Sequence, residues 1–179
     1  MTGPDLQTLF GLFFDADQTP ECLPVAPQDV PPPYRDLLVH THHMTVTMES
    51  FHHDRVTVQV LAVRQTPDWY ARKILLRKQS DGTVVQFGLV RIRLRFCSDP
   101  VKEKILEQKT PLGRILIEHN VLRRIEPKLY FRIPPQAVLE EWFGPQAAGR
   151  ETYGRMGVIF CDEQPAIEVI EIAAPAPPV

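Results

Sequence analysis

Two charged residues interrupt apolar strand patterns and could do chemistry. In WYARKILL, the period of two places Arg72 on the same face as Ile74 and Leu76, which predicts an inward guanidinium. In AIEVIEIAA, Glu171 stands between two isoleucines and is a candidate buried carboxylate. Because a buried charge needs a partner of opposite sign, the two residues could form an ion pair or hold a ligand between them. A guanidinium fork suits a carboxylate ligand in particular.

Glu168 is the alternative to Glu171 in the last predicted strand. The two glutamates are three residues apart, so a regular strand directs them to opposite faces of the sheet. We expect one of them to be solvated and the other to be buried. Alternation alone does not decide which glutamate faces the same side as Arg72.

A third candidate is the start of a predicted helix in EQKTPLGRILIEHN, residues 107–120. Thr110 is a suitable N-cap and Pro111 suits the first helical position. The backbone amides of Leu112 and Gly113 would then be free donors at the positive end of the helix dipole. Since Gly113 has no side chain, a ligand could approach this backbone closely, and the pattern predicts an anion-binding position.

Two other groups of residues favour ordinary structural roles. His40 and His42 would share a face, but no Cys, Asp or Glu stands beside them at ligand spacing, so no metal site is expected. Arg91, Arg93 and Arg95 alternate along one predicted strand. Such a stripe is typical of a solvated sheet face, and the lack of interleaved aromatics gives no support to nucleic-acid binding.

The elements that must position these residues change from helical to strand period along the chain. Residues 4–14 and 34–40 predict short helices, and residues 20–33 a proline-rich connector. Strands are predicted at 44–51, 55–65, 69–78, 83–96, 153–162 and 165–173, with a short one at 129–133. Helices are predicted at 98–108, at 110–120 and at 135–144. The pattern predicts an α+β fold with a single antiparallel sheet of about six strands and helices packed on it.

Composition limits the remaining possibilities. The 179 residues carry a net charge of -2, which indicates one globular domain over 1–179 and favours neither nucleic acid nor an anionic membrane. Within it, 1–33 would be an N-terminal helix plus connector, and 175–179 a loose tail. The three cysteines show no CxxC pairing, so a cytoplasmic location is expected. No segment is predicted to be a signal peptide or a membrane span.

The segment QKTPLGRILIEHNVLRRIEP resembles the corresponding part of the chorismate pyruvate-lyases, which form 4-hydroxybenzoate and pyruvate from chorismate. WYARKILL, HMTVTMESF, YGRMGVIF and PAIEVIEIAAP resemble further segments of this family in the same order, over roughly residues 34–175. The resemblance implies the chorismate lyase-like fold, with a ligand buried beneath flaps. It also implies a cytoplasmic lyase without metal or organic cofactor, and we expect a monomer or weak dimer.

Carried over from the family, the site falls on Arg72, on the backbone near Met44 and at Leu112 and Gly113, and on Glu171. Arg72 would grip the ring carboxylate of chorismate, and Glu171 would face the 4-hydroxyl end, with both assigned as catalytic. Glu171 is preferred to Glu168 because the family hairpin ends in a glutamate a few residues before a proline, here Pro175.

The chain also departs from the family pattern and leaves alternatives open. The closing hairpin is about one residue longer, and Leu89 stands where the family has an arginine after the glycine corresponding to Gly88. The same fold also serves as a sensor module in some transcription factors. The alternatives are therefore a non-catalytic binding or sensor module for a small aromatic carboxylate, and a lyase acting on a related chorismate-derived substrate.

Overall fold

A computed structural model describes residues 5–176 of the chain. In that part the strands are β1 Leu23–Val25, β2 Val56–Gln65, β3 Tyr70–Lys78, β4 Val84–Ile92, β5 Arg123–Ile133, β6 Thr152–Cys161 and β7 Gln164–Ala173. The helices are α1 Leu6–Phe10, α2 Tyr34–Leu38, α3 Met44–His52, α4 Asp99–Leu106, α5 Leu112–Glu118 and α6 Ala137–Phe143.

All seven strands form one antiparallel sheet in the order β1-β5-β6-β7-β4-β3-β2. Local turns set much of this order. Between β3 and β4, for example, Gly82 has a φ of +73°, and the Thr83 amide donates to Asp81 at 2.9 Å. The pairing of β4 with β7 joins the two halves of the sheet. The predicted α+β class with a single antiparallel sheet is confirmed, with seven strands instead of about six.

Each face of the sheet buries a different set of helices. On one face, α1 and α6 cover a core in which the Phe87 and Trp142 rings stack with centroids 3.8 Å apart. On the other face, α2 to α5 cover two apolar clusters, one around Ile115 and Ile167 and one around Leu38 and Met48. The alternation along each strand therefore decides which residues can meet beneath α3 and α5.

The predicted strand at 44–51 is wrong, because this segment forms helix α3. Its alternation of Met44, Val46 and Met48 also fits a helix that buries positions four residues apart. Met44 and Met48 are buried, whereas Val46 is 46% exposed. The helix ends at its C-cap His53, which has the left-handed φ of +49°.

The connector and the tail are more structured than the sequence predicts. Residues 23–25 form edge strand β1 against β5, although prolines surround them. The backbone amide of Ala176 donates to the Tyr34 hydroxyl at 2.7 Å, and its carbonyl oxygen accepts from Arg150. The rest of the predicted loose tail, 177–179, and Pro4 of the predicted first helix lie outside the described residues.

Candidate functional site

A narrow cavity lies on the sheet face covered by α3 and α5. Its volume is about 40 Å³. All five residues predicted as site residues line it, although they come from four different elements: Met44 from α3, Arg72 from β3, Leu112 and Gly113 from α5, and Glu171 from β7. Apolar side chains complete most of the wall, namely Val58, Ile74, Leu76, Val90, Ile159 and Val169.

Arg72 is the most unusual residue of this cavity. It lies in the middle of β3, between Val63 of β2 and Val90 of β4, and is only 1% exposed. Within residues 5–176, neither Nε nor Nη1 of its guanidinium has a hydrogen-bond partner. Burial lowers the pKa of Arg72. The nearby Tyr70 hydroxyl raises this pKa in part, but within residues 5–176 it does not form a hydrogen bond with the guanidinium. A buried cation therefore faces the cavity without a neutralising anion.

Glu171 does not supply that anion, because it is paired with a different arginine. Arg155 of β6 donates from Nε to Glu171 Oε2 at 2.6 Å. Arg155 is 2% exposed and also donates to the carbonyl oxygens of Leu38, His40 and His42, at 3.0, 2.8 and 3.2 Å. The ion pair thus anchors residues 38–42, which lead into α3. Our alternative of an internal Arg72–Glu171 salt bridge is wrong.

Arg155 was missed in the sequence analysis, although its signal was the same as that of Arg72. It is a charged residue inside the apolar strand pattern YGRMGVIF. Two arginines on one sheet face thus have opposite roles. Arg155 has four acceptors around it, whereas Arg72 points to the cavity.

Two further buried polar atoms at the cavity lack partners among the described residues, His43 Nε2 and Gln86 Oε1. His43 is 7% exposed and Gln86 is 3% exposed. Burial lowers the pKa of His43 to about 4, and the positive charges of Arg123 and Arg155 add to this effect. Gln86 could have been found from the sequence, because it is the only polar residue in the run VVQFGLV.

Glu168 lies on the opposite face of the sheet from Glu171, as predicted from their spacing. Contrary to our expectation for one of the two glutamates, neither is freely solvated. Arg91 donates to Glu168 Oε2 at 2.5 Å, and the Glu168 side chain is 7% exposed. The arginine stripe is therefore not simply a solvated face, because Arg91 neutralises a buried carboxylate.

The start of α5 differs from the predicted anion-binding geometry. Pro111, not Thr110, occupies the N-cap position, and no side chain caps the helix. A Cβ atom at Gly113 would lie 2.9 Å from Thr45 Oγ1 and 3.1 Å from His43 Cβ. Because such distances are too short for ordinary packing, the glycine allows α5 to pack closely against the start of α3. This packing accounts for Gly113 without a ligand.

The cavity in this conformation is too small for an aromatic ring. A volume of about 40 Å³ is close to one water's share of liquid volume, about 30 Å³, whereas a cavity of about 150 Å³ accommodates benzene. An aromatic ligand therefore requires the roof of α3 and α5 to move away from the sheet.

Within 5–176, no three or more His, Cys, Asp or Glu side chains are placed to hold a metal ion. The ring of His40 donates from Nε2 to the Leu37 carbonyl oxygen at 2.8 Å. No helix in the described part of the chain is long and apolar enough to cross a membrane.

No protein-family model and no curated protein matches this chain. Among solved structures, it resembles PhnF from Mycobacterium smegmatis at 11% identity with a TM-score of 0.57, covering 76% of this chain and 65% of the PhnF chain. It resembles the effector domain of PhnF at 11% identity and a TM-score of 0.56, covering 85% and 91% of the two chains. A weaker match, with a TM-score of 0.49, is the ligand-binding domain of a putative GntR-family transcriptional regulator from Bordetella bronchiseptica, at 12% identity over 66% and 85% of the chains.

The two PhnF matches show that the chain has the chorismate lyase-like fold. The prediction of an enzyme converting chorismate to 4-hydroxybenzoate and pyruvate is contradicted by the resemblance of the chain to the effector domain of PhnF. Glu171, predicted to be catalytic, accepts a hydrogen bond from Arg155 at 2.6 Å.

Proposed function

We propose that this chain is a non-catalytic binding module for a small aromatic carboxylate, with a role like that of an effector domain. The observation that carries the proposal is Arg72, a 1% exposed arginine at a cavity whose Nε and Nη1 have no hydrogen-bond partner among the described residues. Leaving a charge buried and unpaired costs several kcal/mol. A carboxylate that enters the cavity removes this cost and gains charge-assisted hydrogen bonds.

The walls of the cavity favour an apolar body attached to that carboxylate. Leu112 contributes from the roof, and Ile74 and Val169 contribute from the sheet. A ring between these layers buries apolar area, at about 25 cal/mol per Å². The ordering of the roof around the ligand offsets part of this gain. Met44 and Gly113, also predicted as site residues, belong to the helices that must move.

A coupling between ligand and conformation follows from the small cavity volume of about 40 Å³. A ring enters only when α3 and α5 separate from the sheet, so the ligand selects an open arrangement. Arg155 links this roof to the sheet through the carbonyl oxygens of Leu38, His40 and His42. A shift of α3 would therefore be transmitted to residues 38–42, which gives the module a way to signal occupancy.

The test is calorimetric titration of the purified chain with benzoate and with benzamide, which has the same shape but no charge. We expect benzoate to bind and benzamide to bind at least 10-fold more weakly, since hydrogen bonds to charged groups contribute about 1.5–3 kcal/mol. Arg72→Met should abolish this difference. Arg77→Met is the matched control, because Arg77 lies on the same strand but bonds Gln59 and the Gly82 carbonyl away from the cavity.

Two results would reject the proposed function. One is equal affinity for benzoate and benzamide in the unmodified chain. The other is benzoate binding that survives Arg72→Met, since the charge would then be irrelevant to recognition.

A further inference from the structure

Gln86 marks a second polar end of the same cavity. It lies on β4, opposite Leu76 of β3 and Ala173 of β7, and is 3% exposed. Its Oε1 has no hydrogen-bond partner within residues 5–176. A buried amide oxygen without a partner is unfavourable, so this position is suited to a group that the protein itself does not provide.

The register of the strands separates Gln86 from Arg72. Gln86, Gly88 and Val90 share one face of β4, and Arg72 lies opposite Val90 on the neighbouring strand. Four residues along a strand correspond to about 13 Å between Cα atoms. The two polar side chains therefore enter the cavity from opposite ends.

Between these two ends the cavity lacks a side chain at one position. Gly88 has no Cβ, and the Ile74 side chain lies across it, with Cδ1 3.1 Å from where a Cβ would be. Glu171 lies opposite Gly88 on β7, and Arg155 neutralises its carboxylate. A ligand body that displaces Ile74 would rest over the backbone of Gly88. Among the described residues, the cavity thus has an unpaired cation at one end and an unpaired acceptor at the other.

We infer that the ligand is an aromatic carboxylate carrying a hydrogen-bond donor, such as a hydroxyl or amino group, opposite its carboxylate. Arg72 can only donate, so it takes the carboxylate, and the Gln86 Oε1 accepts from the far group. Glu171 was expected at that far end, but Arg155 already donates to it at 2.6 Å. Gln86 is thus the residue that determines specificity, and this inference rests on the proposed function.

The experiment compares four ligands by calorimetry: benzoate, 4-hydroxybenzoate, 4-aminobenzoate and 4-methoxybenzoate, which has no donor. In the unmodified chain, we expect the hydroxyl and amino ligands to bind about 5- to 30-fold more tightly than benzoate, as for one recovered buried hydrogen bond. Gln86→Leu should reduce this preference to less than about 3-fold while benzoate binding persists. Gln79→Leu, the same change at an exposed glutamine, should leave the preference unchanged.

The outcomes separate this inference from the proposed function. If benzoate binds through Arg72 but the donor-bearing ligands gain nothing, or if the preference survives Gln86→Leu, only the role of Gln86 is overturned. A preference for 4-methoxybenzoate would also overturn it, because the amide would then present its NH₂ group. If none of the four ligands binds, or if binding is unaffected by Arg72→Met, the proposed function fails as well.

Discussion

Replacing Arg72 by methionine is expected to make the ligand-free protein more stable. Arg72 is 1% exposed, and its Nε and Nη1 have no hydrogen-bond partner within residues 5–176, so its charge is desolvated without compensation. Methionine retains an unbranched apolar stem and fits among the surrounding Val, Leu and Ile side chains. Apolar replacement of buried charges stabilises proteins by about 1–4 kcal/mol, and we expect about 1–3 kcal/mol here, since the shorter side chain leaves some space unfilled.

Arg155 provides the matched comparison, because it is 2% exposed on the same sheet face but each of its three guanidinium nitrogens donates a hydrogen bond. Arg155→Met removes an ion pair and leaves the Glu171 carboxylate, whose side chain is only 13% exposed, without its partner. Such changes cost about 3–5 kcal/mol. The two substitutions of the same residue type should therefore change the free energy of unfolding in opposite directions.

Thermal melting and urea unfolding of the three proteins measure this difference. For a chain of this size, each kcal/mol shifts Tm by about 2–4 °C. We expect Arg72→Met to melt about 2–12 °C higher than the unmodified chain, and Arg155→Met about 6–20 °C lower. A lower Tm for Arg72→Met, comparable with that of Arg155→Met, would refute the interpretation of Arg72 as an uncompensated charge.

Three further changes test other parts of the structure. Burial lowers the pKa of His43 to about 4, so the unfolded chain binds more protons than the folded chain between about pH 6.5 and 4. The free energy of unfolding should therefore fall on acidification through this window, by at most about 1.4 kcal/mol per pH unit for this group. Urea titrations at each pH should show a smaller fall in His43→Phe. Gly113→Ala should destabilise the chain by about 1–3 kcal/mol through overpacking. Adding Thr45→Ala should recover part of this loss in a double-mutant cycle. If the effects of the two substitutions on the free energy of unfolding simply add, the contact between residues 113 and 45 is not the cause. Glu168→Ala should cost about 3–5 kcal/mol of stability, because it leaves Arg91 unpaired. Its affinity for benzoate should stay within about 3-fold of that of the unmodified chain. A loss of binding in the folded variant would contradict the placement of Glu168 on the far face.

Period-two patterns in the sequence were sufficient to identify most of the sheet. The strands β2, β3, β4, β6 and β7 match their predicted segments to within a few residues. Burial alternates only along β2, because helices cover both faces of the other four strands. The same patterns predicted that Arg72 points inward and that Glu168 and Glu171 face opposite sides. These features depend only on the local geometry of an extended chain, which successive residues determine themselves.

Residues 44–51 show where local patterns were insufficient. Alternating Met44, Val46 and Met48 fit a strand, but Met44 and Met48 are also four apart and so fit one face of a helix. Burial of both methionines against the sheet, with Val46 left 46% exposed, decided for the helix. A segment of this length does not choose between the two periods without its tertiary partners.

The sequence by itself determined an α+β chain with a buried arginine and two glutamates on opposite faces. Only the tertiary structure decided how these charges are paired. It placed Arg155 next to Glu171 through the register of β6 and β7, which left Arg72 without an anion and facing a cavity with Gln86 at its other end. The physical reason is that alternation determines the direction of a side chain, whereas strand order and register across the sheet determine which charges come within bonding distance.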